Sequence, residues 1–238
     1  MTQDSNQIKL TPRLQLAADM ARPGIPAADI GTDHAYIPAY LVRHKHCPHV
    51  IAADLRQGPL DNAAGTLEKY QIGSEVELRL CNGLDGIGAG EAYDIFICGM
   101  GGDMICDILS RAPWVKSKAY RLILQPMTRA AEVRRYLCGE GFDILEERAV
   151  REGEHCYTVL CAGYTGYVYP TDEMFLHIGK LSDSPDENAR FYMLRQAQRL
   201  EAKARGMEKS TASTGGAQAF YELARKIRKI LDYPPAGL

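Results

Sequence analysis

The residues best suited to chemistry are carboxylates, amides and glycines in four short motifs. The first is Asp29-Ile30-Gly31-Thr32-Asp33-His34-Ala35-Tyr36, and Asp54 closes Val50-Ile51-Ala52-Ala53-Asp54, 25 positions after Asp29. If these apolar runs are neighbouring parallel strands, Gly31 lets the backbone approach a ligand closely, and Asp54 can accept both hydroxyls of a ribose. Asn82 and Gly83 follow the third run and offer a side-chain amide and a backbone N–H to an adenine edge. Gly99 and Met100, in Cys98-Gly99-Met100-Gly101-Gly102, follow the fourth and combine a permissive backbone with an apolar contact. A turn that binds a dinucleotide usually carries three glycines, whereas the later positions here are Asp33 and Ala35. Asp33 would repel a pyrophosphate but not a cationic sulfonium. The motifs therefore point to S-adenosylmethionine rather than a nicotinamide cofactor.

Positioning these groups requires a sheet whose strands end on one edge. Apolar runs at Ala27–Ile30, His49–Ala53, Val76–Leu80, Ile95–Cys98 and Tyr120–Leu124 read as strands. Helical patterning at Tyr36–Arg43, Pro59–Tyr70, Met104–Ser110 and Thr128–Cys138 separates them, and this alternation predicts a mostly parallel sheet. Thr11-Pro12 marks the start of a leading helix that stops at Pro23-Gly24. Phe142–Val150 and His155–Ala162 flank Arg151-Glu152-Gly153-Glu154, a hairpin turn that adds an antiparallel edge. Ser184-Pro185-Asp186-Glu187 reads as an N-cap and first turn with Ser184 at the cap. Met193, Ala197, Leu200, Ala204 and Met207 step at heptad spacing, as do Phe220, Ala224, Ile227 and Leu231 beyond Ser210–Gly216. Two helices are expected to pair there as an antiparallel hairpin. The expected division is residues 1–165 for the catalytic domain and 166–238 for the helical hairpin.

Composition sets the outer limits. With 46% hydrophobic and 24% charged residues the chain is expected to be globular, and it has neither a membrane-length apolar run nor a signal-peptide layout. A cytoplasmic location is expected. Seven cysteines without a C-x-x-C pair read as reduced core residues, and His44, His46, Cys47 and His49 fit a surface loop better than a metal site. Between residues 189 and 230 ten Lys or Arg face three Glu, in a chain of net charge -2, so the remainder carries about -9. Such a basic module suits a polyanion. A well-solvated hairpin is the plainer reading.

Ala28–Pro38, Gly99-Met100-Gly101-Gly102 and Leu122-Ile123-Leu124-Gln125-Pro126 together resemble the TrmK family, the bacterial tRNA (adenine-22-N1)-methyltransferases. The resemblance spans roughly residues 8–162, and the basic hairpin is similar to that family's C-terminal domain. Two positions depart from it: Thr32 stands where the family commonly has Ser, and Met127 where it commonly has Asn. The resemblance implies a Rossmann-like class I methyltransferase domain, built on a mostly parallel seven-stranded sheet, with a coiled-coil hairpin. It also implies S-adenosylmethionine as methyl donor and tRNA as acceptor; no membrane is expected, and no obligatory protein partner is inferred. Asp29, Gly31, Asp54, Asn82, Gly83, Gly99 and Met100 match cofactor-binding places, and Asp33, His34 and Tyr36 border the transfer site. Arg195, Arg199, Lys203, Arg225, Lys226 and Lys229 are the expected tRNA contacts.

Adenine N1 has its own lone pair, so alignment and charge stabilisation outweigh the need for a base. Asp33 can stabilise the cationic product ring or cap the following helix. His34 can orient that carboxylate, contact the methionine carboxylate, or be structural. Tyr36 can stack on the base or simply pack. The Cys98–Gly102 stretch lacks the D-P-P-Y type of sequence used on exocyclic amines, which favours a ring nitrogen, and no Pro-Cys context makes Cys98 a nucleophile. Two rival readings are a methyltransferase for a small molecule or protein, and a non-catalytic RNA-binding protein.

Overall fold

The structure, a computed structural model, describes residues 7–209 and 214–232. In chain order the elements are α1 (Pro12–Asp19), β1 (Ala27–Ile30), α2 (Tyr36–Lys45), β2 (Val50–Asp54), α3 (Gln57–Lys69) and β3 (Val76–Leu80). They continue with β4 (Asp94–Gly101), α4 (Gly102–Ser110), β5 (Arg121–Thr128), α5 (Ala130–Gly139), β6 (Phe142–Glu152) and β7 (His155–Tyr164). A short α6 (Glu173–Ile178), a 3-10 segment (Gly179–Asp183), α7 (Glu187–Lys209) and α8 (Thr214–Asp232) follow among the described residues.

One seven-stranded sheet runs in the order β3-β2-β1-β4-β5-β7-β6. The first five strands are parallel and β7 and β6 antiparallel, so the expected Rossmann-like sheet with an antiparallel edge is present. β1 and β2 are buried along their whole length, because helices cover both faces of a parallel sheet. The apolar side chains divide into one layer on each face, around Leu41 and Phe96 on one side and Ile95 and Leu122 on the other. None of the described helices is long and apolar enough to cross a membrane.

Several boundaries differ from the sequence expectation for local reasons. β4 does not end at Cys98 but continues to Gly101 through a bulge, which Gly99 allows by taking φ +78°. β5 likewise extends to Thr128 as its partner, so α5 begins at Ala130. The cap of α7 is Asp186 rather than Ser184, since Asp186 Oδ1 accepts from the Asn188 N–H at 2.6 Å while Ser184 Oγ accepts from Asp186 N–H. α6 and the 3-10 segment had no clear periodic signal in the sequence. The hairpin agrees with its heptads: Met193, Ala197, Leu200, Ala204, Ala224 and Ile227 are buried between α7 and α8. Residues 210–213 of the expected connecting turn lie outside the described residues.

A buried ion pair joins the hairpin side of the chain to the sheet. Arg134 on α5 and Glu147 on β6 are wholly buried, with Nη2 to Oε1 at 2.6 Å. Arg134 Nη1 donates to the Leu176 carbonyl at 2.6 Å, and Nη2 reaches Tyr192 Oη of α7 at 3.4 Å. Glu147 in turn accepts from Thr158 Oγ1 at 2.6 Å and from the Lys180 N–H at 3.1 Å. Gly179 crosses this pair at φ +57°, where any Cβ would collide with the Glu147 carboxylate and the Arg134 guanidinium. Glu147→Gln would leave a buried guanidinium without its counter-charge, and unfolding free energy in urea should fall by roughly 3–5 kcal/mol. The double variant Arg134→Met/Glu147→Leu should recover most of that loss, and equal stability of the single variant and wild type would contradict this account.

Candidate functional site

The first βα turn is shaped by three left-handed residues, Gly31 (φ +75°), Asp33 (φ +47°) and Ala35 (φ +52°). Such conformations cost energy for Asp and more for Ala, so tertiary contacts must hold the turn. The Gly31 and Thr32 N–H groups donate to the Ala53 carbonyl at 2.8 and 3.0 Å, and Ala35 is fully buried. Gly31 needs its freedom twice, since a Cβ there would also collide with Met100 Cε. Met100 therefore lies over the glycine and brings the β4 bulge against the β1 turn.

Two adjoining cavities open along the carboxyl ends of β1, β2 and β4, one of about 490 Å³ and one of about 320 Å³. Gly31, Asp33, Cys98 and Gly99 line both, so the two form one groove. The larger half holds Asp54, Asn82, Gly83 and Met100, with Leu55, Met104 and Ile108 as apolar walls. One Asp54 oxygen accepts from the Arg56 N–H at 2.9 Å, and the other has no hydrogen-bond partner among the described residues. Asn82 Oδ1 faces Arg111 Nη2 at 3.5 Å, and Arg111 is itself held by Asp85 and by Asp107. Gly99 stands with open space around its Cα, its N–H anchored on Gln125 Oε1 at 3.1 Å. Every residue expected to bind the donor, Asp29, Gly31, Asp54, Asn82, Gly83, Gly99 and Met100, lines one half or the other.

The smaller half contains Asp29, His34 and Tyr36, and also Thr11, Arg13 and Leu14 of the leading helix. Sequence reading missed these last three, because nothing local ties a helix 16 positions upstream to the β1 turn. Arg13 donates to Thr11 Oγ1 at 2.8 Å and to Glu152 Oε1 at 3.3 Å, yet its buried Nε has no partner among the described residues. An unpartnered buried donor beside a buried carboxylate suits a ligand with both a carboxylate and an ammonium.

Asp33 and His34 sit at the rim, their side chains well exposed and 3.5 Å apart (Oδ2 to Nε2). The capping alternative for Asp33 does not hold: Ala35 occupies the cap of α2, which has no side-chain cap bond. The Tyr36 ring lies 5.6 Å from that of His34 and is 38% exposed, so it is not packed away in the core. Burial pushes the Cys98 thiol well above its ordinary range, which disfavours a nucleophilic thiolate. Arg195, Arg199, Lys203, Arg225, Lys226 and Lys229 are all exposed on α7 and α8, and none of them lines the groove. Lys203 lies over the Phe220 ring at 4.2 Å.

Residues 10–160 match the family described as "Methyltransferase domain". The chain belongs to the methyltransferase-domain family. The domain is 38% identical over 157 residues to a Bacillus subtilis protein named tRNA (adenine(22)-N(1))-methyltransferase, a stretch covering 66% of each chain, just under two thirds. Along nearly its whole length the chain also resembles the crystal structure of the B. subtilis M1A22 tRNA methyltransferase TrmK, with TM-score 0.79, 28% identity, and 95% and 98% of the two chains covered. A Streptococcus pneumoniae protein solved in complex with S-adenosyl-L-methionine is similar at TM-score 0.75 and 27% identity, covering 92% of this chain and 98% of that one.

Within this methyltransferase domain, burial raises the Asp29 carboxyl to about 7, and the Asp54 charge adds to the effect. As pH rises from about 4 the unfolded chain ionises first, the folded state holds the extra proton, and stability falls through about pH 7. Asp29→Asn should match wild type near pH 4 and exceed it above about pH 7 by on the order of 2–4 kcal/mol without ligand. Urea titrations across this range check it, and coincident curves at about pH 8 would show that Asp29 ionises without cost.

Proposed function

We propose that this protein transfers a methyl group from S-adenosylmethionine to N1 of an adenine in tRNA, at adenine 22. The observation that carries the reading is the divided groove. A nucleoside-sized half ends on Asp54 and Asn82, and an adjoining half pairs the Asp29 carboxylate with the orphan Nε of Arg13. The first suits an adenosine and the second an amino-acid tail, whose ammonium would favour the ionised form of Asp29. The bound donor supplies an electrophilic methyl on a sulfonium.

The chain's own residues then have separable tasks. Leu55, Met104 and Ile108 would offer apolar walls to the planar base of the donor, and Asp54 would hold its ribose through the oxygen that Arg56 leaves open. The Gly99 backbone lines the shared part of the groove, where a target base can approach, and Met100 lies next to it in the larger half. Tyr36 offers that base an aromatic face at the exposed rim. N1 attacks through its lone pair as the C–S bond breaks, so the positive charge passes from sulfur to the adenine ring and no proton must leave beforehand. The exposed Asp33 carboxylate, held beside His34, stabilises the ring as it becomes positive. The cations of α7 and α8, with Arg195, Arg199, Lys203, Arg225, Lys226 and Lys229 among them, grip the phosphates.

The B. subtilis relatives carry tRNA adenine-22 activity in their names, and this favours tRNA over a small-molecule or protein acceptor. The intact acidic groove weighs against a non-catalytic RNA-binding protein. Incubation with unmodified tRNA and labelled donor, followed by nucleoside mass spectrometry, should yield 1-methyladenosine. Label in any other nucleoside, or none, would overturn the reading. Asp54→Ala should weaken donor binding by roughly 1–3 kcal/mol in calorimetry, because a charged acceptor is lost. Asp33→Asn should keep donor affinity and lower the single-turnover rate on tRNA. An unchanged rate would remove Asp33 from the transfer step.

A further inference from the structure

Another cavity, of about 430 Å³, opens on the same edge of the sheet and is absent from the site described above. It exists because β5 and β7 part. Their pairing stops at Leu124↔Leu160; beyond it β5 follows β4, with Pro126 opposite Met100 and Thr128 opposite Gly101. β7 instead follows β6, with Thr158 opposite Ala149 and Tyr157 opposite Val150. Pro126 has no N–H to donate across the gap. α7 roofs the opening through Tyr192, Gln196 and Arg199.

Its lining contrasts with that of the methyl-transfer groove. Asp29, Asp33, Asp54 and Asp107 line the groove beside Arg13, Arg56 and Arg111, whereas among the described residues no Asp or Glu lines this cavity. Arg199, His155, His177 and the Tyr157 ring converge on it instead. Arg199 forms no ion pair among the described residues, unlike Arg129, which also lines the cavity but is held by Asp103 at 2.8 Å. His155 and Tyr157 lie on the same face of β7, with ring centroids 6.1 Å apart. A cation without a counter-ion, an accessible aromatic face and hydrogen-bonding groups, but no carboxylate, match a nucleotide: a base on Tyr157 and a phosphate on Arg199. The cavity walls at Pro126–Thr128 are ladder partners of Met100 and Gly101, so only one strand spacing, about 4.8 Å, separates this cavity from the transfer groove.

We propose that this cavity is a second RNA subsite, which holds one unstacked nucleotide of the same tRNA that presents the target adenine. The inference rests on the proposed tRNA activity and adds to it. Occupying this cavity keeps a neighbouring nucleotide out of the stack while the adenine enters the groove, so part of the unstacking cost is met at Tyr157. The basic hairpin and the acidic catalytic groove thus communicate through a built pocket rather than through long-range charge alone.

Steady-state methylation of tRNA by wild type, Tyr157→Ala, Tyr157→Phe and Arg199→Ala tests the proposal, with donor affinity measured on each preparation. Tyr157→Ala should raise KM for tRNA roughly tenfold, the effect of losing one base stack, with kcat at saturating tRNA and donor affinity unchanged, while Arg199→Ala, which also removes a phosphate contact of the hairpin, should raise KM as well. Tyr157→Phe should restore KM, since the ring and not the hydroxyl is required. Ultraviolet cross-linking of wild-type protein to tRNA, mapped by mass spectrometry, should place a nucleotide on Tyr157 whether or not the variants fold. An active wild type whose KM is unmoved by Tyr157→Ala, with cross-links confined to α7 and α8, would overturn the subsite alone. A wild type that methylates no tRNA would overturn the parent reading, and the subsite with it.

Discussion

A guanidinium and a carboxylate that see no water set how the halves of this molecule meet. Arg134 and Glu147 come from an α5–β6 unit of the methyltransferase domain, but their remaining valences are met by Leu176, Lys180 and Tyr192 beyond it. Removing two charges from water is costly, and the cost is offset only while every partner stays in place. The helical hairpin is therefore not tethered by a loose linker. The sequence after β7 folds back, packs Leu181, Ala189 and Tyr192 near Ala149, and only then leaves the domain along α7. The position of Arg199 over the gap between β5 and β7 follows from that anchorage.

The second organising feature is a division of charge. The groove gathers the carboxylates Asp29 and Asp54 at the ends of β1 and β2, with Arg13, Arg56 and Arg111 also in its lining. Basic residues concentrate on α7 and α8, and of these Arg199 lines the cavity beside β5. On the function and subsite proposed above, one part of the sheet edge takes the sulfonium and its neighbour the polyanion, so that two ligands of opposite charge occupy separate places. Burial of Asp29 sharpens this arrangement, because an ionised Asp29 is costly until a cation sits beside it.

Backbone strain marks the same place. Asp33 and Ala35 in left-handed conformations, and Gly99 in the β4 bulge, lie within one turn of the groove. Elsewhere non-glycine residues with positive φ occur at helix ends such as His46 and Arg129. Strain of this kind persists only where surrounding contacts over-determine it, and here the Ala53 carbonyl and the buried Ala35 side chain do so. The consequence is a rigid floor that presents Asp33 and His34 outward.

Local chemistry made much of this legible in the sequence alone. Strand and helix alternation, the carboxylates at the ends of β1 and β2, the glycines of the turns and the heptads of α7 and α8 are all short-range patterns, so residue type and period were enough to place them. The basic excess near the C-terminus was equally a matter of counting. What the tertiary structure decided depends on contacts between distant segments. Arg13 reaches the groove only because α1 packs across the sheet, and Arg134 and Glu147 look like ordinary surface charges until desolvation and four partners show otherwise. β4 and β5 outrun their apolar runs because each supplies the other's hydrogen bonds through a bulge, and Asp186 replaced Ser184 as a cap because of which oxygen reached the first free N–H. The cavity at Tyr157 lies furthest from sequence reasoning, since it is made by two strands separating and a third segment closing over them, a shape that no single stretch of residues encodes.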